Sequence, residues 1–358
     1  MKLWSARLAL GAAALSVLGL VACGGSSGTA SSPTPGVSGV HSAYVANAGA
    51  GTISEYAIDS NGKLTEITGS PFSISANATA LQMTPNGNFL YAVDPTKNTI
   101  VEMSINSTSG VLTIVGTQTT TSTPSSITVD NGGKFLFVGN SGANNISAYA
   151  IGADGKLTET SFSPVAVNGP VKSVVVSPKG GFLFATIPST GSIYEFKLDT
   201  TTGALTLNAG SPITIGTTPR YVAVDTNEAF AIVIDQSGLI NRANVDSTGA
   251  LTLAPFSPFT ANTDPAYATV SGGYVYVLSG NGKLITSLNF QSNGAPFQVS
   301  TTLLGNGPNA MSISGNFLYA TNAGDNTVSQ FSLSAGVAAV LSPTTVTSGS
   351  SPDAIAVR

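Results

Sequence analysis

The chain has little charge. Only 8% of its 358 residues are Asp, Glu, Lys or Arg, where soluble domains average about 25%. The 13 Lys and Arg are scattered and outnumbered by 17 acidic residues, so the clustered basic footprint that nucleic acid requires is missing and no nucleic-acid partner is expected. The single cysteine, Cys23, has no intramolecular disulfide partner. The single histidine, His41, stands at the edge of a Gly/Ser/Pro-rich stretch. A Ser-His-Asp triad and histidine-built metal sites are thereby excluded, and no metal or cofactor is expected. The apolar run from Leu8 to Val21 falls short of the ~20 residues that span a bilayer. Beyond it, no hydrophobic period of 3.6 is sustained, which argues against helices.

What is present is apolar and small. Hydrophobic residues make up 42% of the chain and there are 40 glycines, enough apolar content to build a core despite the low charge. Lys2 and Arg7 precede the Leu8–Val21 run, and Leu20-Val21-Ala22-Cys23 follows. This is the pattern of a bacterial lipoprotein leader, in which cleavage before Cys23 exposes a thiol that carries the lipid. Residues 1–22 are therefore expected to be a signal peptide, and residues 23–40 a lipidated cysteine with a flexible tether. A lipid on Cys23 predicts membrane anchoring in a bacterial cell envelope. With no Asp after Cys23, the outer membrane is the expected destination, with the protein facing the periplasm or the cell surface.

Residues 41–358 repeat themselves. An aromatic or β-branched strand recurs around Tyr44, Tyr91, Phe137, Phe184, Ile232, Tyr276 and Tyr319 with a period of about 46 residues. Each unit reads as four short strands separated by Gly/Asn turns, in phrases such as "PSSITVD", "NGGK", "NISAYAIG" and "ADGKL". Four strands per repeat of this length predict a β-propeller blade. First-strand motifs begin near Ala78, Pro124, Pro170, Pro219, Pro265, Pro308 and Pro352, one step out of phase with the aromatic strands. The expected architecture is all-β: a seven-bladed propeller of four-stranded blades, closed by "PDAIAV" pairing with the strand at Tyr44. Closure of this kind removes the open sheet edge.

At the level of motifs the repeats resemble the lactonase family of seven-bladed propellers, including 6-phosphogluconolactonases, and the YVTN-type surface propellers. The phrases that carry the resemblance are Gly62-Lys63-Leu64-Thr65, Gly155-Lys156-Leu157-Thr158, Gly203-Ala204-Leu205-Thr206 and Gly249-Ala250-Leu251-Thr252, with matching turns around Pro85, Pro178 and Phe317. WD40 repeats match poorly, because the only tryptophan, Trp4, falls in the leader. The resemblance implies a histidine, an arginine and a glutamate around the channel mouth. Of these only the arginine carries over, to Arg220 in "TPRYVAVD", where Tyr221 stands in the histidine's place and Asp235-Gln236 replaces the family's Asn-Glu.

Aligning the repeats predicts two polar rings beside the central channel. One comprises Thr79, Ser125, Lys172, Arg220, Ala266, Asn309 and Asp353; the other comprises Asn47, Asp94, Asn140, Ile187, Asp235, Ser279 and Asn322. Lys172 and Arg220 are the first ring's only cations and belong to neighbouring blades. They could hold a carboxylate or phosphate, or pair with Asp94, Asp235 or Asp353 as rim ion pairs. Candidate ligand contacts are Lys172, Arg220, Asp94, Asp353 and Gln236. The missing histidine and glutamate point to a non-catalytic module that binds a small anionic ligand or an envelope protein as a monomer. The alternative is a lactone hydrolase in which Arg220 stabilises the oxyanion and Asp235 activates water. Two other motifs carry nothing: Gly24-Gly25-Ser26-Ser27-Gly28 lacks the strand and helix of a nucleophile elbow, and the "DSNGK" at Asp59 is a hairpin turn.

Overall fold

Alternating β-branched and aromatic residues, cut every few positions by glycine, fold as successive antiparallel meanders. The structure, a computed structural model, describes residues 41–261 and 264–358. The expected leader, the Cys23 lipidation site and the tether lie outside the described residues. The strands form seven separate sheets, each a meander of four, and three of them carry an extra two-residue strand. The innermost strands are Pro352–Val357, Ala80–Met83, Pro124–Val129, Ser173–Val176, Pro219–Val224, Pro265–Ser271 and Pro308–Ser314. In that order they belong to blades 1 to 7. The aromatic strands come next outward, running from Ser42–Asn47 in blade 1 to Phe317–Asn322 in blade 7. The one helical turn among the described residues is a 3-10 turn at Pro188–Thr190. The protein is a seven-bladed β-propeller.

Blade 1 is made from both ends of the propeller. Ala43, Tyr44, Val45 and Ala46 pair with Val357, Ala356, Ile355 and Ala354. The closing strand packs on the innermost strands of blades 2 and 7, and Ile355 is only 8% exposed.

The Gly-x-Leu-Thr phrases turn out to be clamps between blades. At Gly62, Gly110 and Gly155 two side chains of the preceding blade hold the turn. The Tyr44 hydroxyl donates to the Gly110 carbonyl at 2.6 Å, Tyr91 to Gly155 at 2.9 Å, and Tyr319 to Gly62 at 2.7 Å. Directly across the ladder from those tyrosines lie Glu55, Glu102 and Gln330. Their side-chain oxygens accept the backbone N–H groups of Leu112, Leu157 and Leu64 at 2.7–2.8 Å, as Glu195 does from Leu251. Glycine is required in the turn: Gly155 has φ of +81°, and a Cβ there would lie 2.3 Å from the Phe89 ring. In blade 5 the glutamate's position holds Arg242, whose guanidinium stands 4.9 Å from the ring centroids of both Phe230 and Phe290. A cation–π sandwich replaces the hydrogen bond there.

The clamp glutamates carry a testable cost. Burial raises the carboxyls of Glu55, Glu102 and Glu195, and the leucine N–H only partly offsets it. A carboxyl raised on folding binds more protons in the native state, so stability falls as pH rises from the ordinary carboxylate range through the raised value. Gln330 makes the same bond without charge. Glu102→Gln is therefore expected to be at least as stable as the wild type at pH 7, with the advantage shrinking near pH 4. Glu102→Ala should cost about 1–3 kcal/mol at both, because it orphans the Leu157 N–H. Urea unfolding at the two pH values checks this.

Candidate functional site

The innermost strands surround a cavity of about 330 Å³, at the small end of ligand pockets. Every member of the first predicted ring lines it: Thr79, Ser125, Lys172, Arg220, Ala266, Asn309 and Asp353. A repeated backbone device puts them there. In blades 1, 3, 5, 6 and 7 the ladder skips one residue just after the strand-opening proline, and the skipped residues are Asp353, Ser125, Arg220, Ala266 and Asn309. A bulge of this kind leaves one residue unpaired and re-aims its side chain. Here it does so in five of the seven blades, at the mouth of the channel.

The second ring behaves differently. Its members are buried but do not line the cavity; they tie down the turns behind it. Asn47, Asn140 and Asn322 each donate to hydroxyls or an amide oxygen at the start of the next strand. Asp94 accepts from the backbone N–H groups of Asn77, Thr96 and Lys97 and from the Thr96 hydroxyl. Asp235 accepts from the N–H groups of Thr217, Thr218 and Ser237 and from the Thr218 hydroxyl at 2.7–3.0 Å. Burial pushes the Asp235 carboxyl up, but these hydrogen bonds win and bring it down to about 2. A carboxylate so held is a poor proton acceptor, and Asp235 serves as a turn clasp. Gln236 is exposed on the adjoining loop, outside the cavity lining.

The cavity itself is charge-divided. Lys172 and Arg220 occupy blades 4 and 5; Asp353 and Asn309 occupy blades 1 and 7, across a ring of seven. Among the described residues neither cationic side chain makes a hydrogen bond or close ion pair, although Lys172 and Asp353 still feel each other's charge. Lys172 reaches water through the mouth, yet protein walls most of it. That burial lowers its pKa, Arg220 lowers it further, and Asp353 pulls the other way. Asp353 is raised by burial, against the opposing pull of Asn309 and Lys172. The Asn309 amide donates to Asp353 Oδ1 at 2.5 Å and is itself oriented by the Thr321 hydroxyl at 2.6 Å. The second Asp353 oxygen has no recorded partner among the described residues.

Two tyrosines complete the wall. The residue after each ring member is Ala80, Ser126, Ser173, Ala310 or Ala354 in five blades, but Tyr221 and Tyr267 in blades 5 and 6. Their ring centroids lie 4.2 Å apart with the planes tilted by 33°, and the Tyr221 hydroxyl donates to the Tyr267 oxygen at 2.7 Å. Burial raises both phenols, Tyr221 well above the ordinary value. Of this pair the sequence singles out only Tyr221, in the histidine's place, although "PRY" and "PAY" stand in register in consecutive repeats. Among the described residues no three His, Cys, Asp or Glu side chains gather as a metal-ligand set.

Comparison with known proteins places this ring of seven blades in a family. The family model "Lactonase, 7-bladed beta-propeller" matches residues 38–177 and 181–311. The chain belongs to this lactonase family. Among curated relatives it is similar to the 6-phosphogluconolactonases of Sodalis glossinidius (32% identity over 117 residues, 31% of this chain) and Serratia proteamaculans (31% over 136 residues, 36% of this chain). Those alignments span 35% and 41% of the relatives' own lengths. Among solved structures the periplasmic gluconolactonase of Pseudomonas aeruginosa superposes with a TM-score of 0.72 at 20% identity, over 89% of this chain and 99% of that one. That likeness concerns the fold. Lactonase-family membership makes the divided cavity the place to look for chemistry.

Proposed function

We propose that this lactonase-family propeller hydrolyses a lactone in the central cavity, with Asp353 as the base and Arg220, assisted by Lys172, as the oxyanion holder. One observation carries the reading. Two cations without partners among the described residues face a carboxylate with a raised pKa and a free oxygen, across a space the size of a small ring. The names of the curated relatives and of the solved neighbour support the substrate class.

The chemistry follows from placement. Asp353 takes a proton from water as its oxygen attacks the lactone carbonyl carbon. A carboxyl lifted above its ordinary range is a better base for this than Asp235, which is held at about 2. The carbonyl electrons move to oxygen, where Arg220 and Lys172 already stand without other partners, so little reorganisation is needed. Collapse breaks the ring C–O bond and yields a hydroxy acid, whose carboxylate the same cations would hold until release. Two cations against one carboxyl favour a substrate with negative charge, in a chain whose net charge is −4.

The test is turnover by the full chain of neutral and anionic aldonolactones and acyl-lactones, followed by pH-stat. Arg220→Ala is expected to lower kcat/KM by about 10²–10³-fold, the usual loss on removing an oxyanion donor. Absence of turnover on every lactone, by protein shown to be folded, would leave a binding propeller instead.

A further inference from the structure

We propose that Tyr267 is a further catalytic residue, the general acid that protonates the leaving ring oxygen, with Tyr221 as its positioning residue; this rests on the lactone-hydrolase reading. A phenol has one proton to donate. Tyr221 spends its own on the Tyr267 oxygen at 2.7 Å, so the Tyr267 proton must point elsewhere. Among the described residues no acceptor receives it. Both rings line the cavity, and Tyr267 lies in blade 6, between Arg220 of blade 5 and Asn309 of blade 7.

Shape supports a dedicated role. Five blades place alanine or serine at this position, whereas only blades 5 and 6 fill it with rings, whose centroids are 4.2 Å apart. Ring contact with Tyr221 restrains the Tyr267 ring, and the Tyr221 hydrogen bond fixes its oxygen and stabilises negative charge that develops there.

The step balances. After attack, the ring C–O bond breaks and its electron pair leaves on the alkyl oxygen. That oxygen takes the Tyr267 O–H proton, leaving a phenolate that keeps the hydrogen bond from Tyr221. The proton Asp353 took from the nucleophilic water then passes through solvent in the cavity to the phenolate. Both side chains are restored, and the net reaction is lactone plus water to hydroxy acid.

An alkoxide leaving group needs such an acid and a phenoxide does not, which gives a test that a purely structural role does not meet. Full-length wild type, Tyr267→Phe and Tyr221→Phe are assayed on two lactones: a six-membered alkyl lactone, and an aryl lactone whose leaving group is a phenol. Tyr267→Phe is expected to lose about 10²-fold or more in kcat on the alkyl lactone, yet stay within about 3-fold of wild type on the aryl one. Retained aryl activity shows that the variant is folded. Tyr221→Phe should lose less, with the same dependence on leaving group. Equal losses on both substrates, or none on either, would overturn the proposal while leaving the hydrolase reading intact. Wild type inactive on both would overturn the two together.

Discussion

Asp353→Asn should lower kcat for lactone hydrolysis by about 10²–10⁴-fold, the span expected when a general base is removed, with little change in thermal stability. The substitution preserves shape, and the Asn309 amide can still donate to the remaining carbonyl oxygen, as it does to Asp353 Oδ1 at 2.5 Å. What disappears is proton-accepting capacity, together with the negative charge that acts on Lys172. Asp235→Asn should do the reverse. Three backbone N–H groups and a hydroxyl converge on Asp235, so removing its charge weakens the turn clasp and lowers stability. With its carboxylate already engaged away from the cavity, kcat should stay within a few-fold of wild type. The pair separates the base from a carboxylate that resembles one in sequence.

Removing residues 352–358 should destabilise the propeller by about 5 kcal/mol or more, a fall in Tm of roughly 10 °C or greater. These residues form the innermost strand of blade 1, pairing with Ala43–Ala46 and contributing Ala354, Ile355 and Ala356 to the buried interior. Their loss unpairs the inner edge of Ser42–Asn47 and exposes a strand whose six residues are all buried. An apolar unpaired edge is also a template for association. Thermal unfolding with size-exclusion chromatography should therefore show both a lower midpoint and oligomers. An unchanged midpoint would mean that the ring does not depend on this closure.

Much of the ring was legible because every blade must solve the same problem. A tyrosine in the second strand and a Gly-x-Leu-Thr turn recur where one blade grips the next with them, as blades 1, 2 and 7 do, and the grip needs Tyr44 and Glu55 side by side opposite Gly110 and Leu112. The first ring was legible for the same reason: its position at the start of the innermost strand is equivalent in all blades, and in five of them it directly follows a proline. What sets it apart from its neighbours, the bulge at Arg220 and Asp353, leaves no residue signature beyond the proline itself. The second ring misled, because strand ends near a channel need not face it. Asp235 looked like a free carboxylate, but a Thr-Thr pair upstream and a serine downstream close on it. Those donors are 17–18 residues away or across a turn, invisible to local pattern. The tyrosine pair was missed because a repeat alignment rewards what recurs, and Tyr221 and Tyr267 matter where five other blades hold small residues.

The most direct measurement of the central claim is the pH dependence of kcat/KM for an anionic lactone in wild type, Asp353→Asn and Asp235→Asn. Protonating the base removes activity, so the rate falls as pH drops through its pKa. Burial places that limb above the ordinary aspartate range for Asp353. The account predicts such a limb in wild type and in Asp235→Asn, and its disappearance in Asp353→Asn. An acid limb that survives unchanged in Asp353→Asn would contradict it.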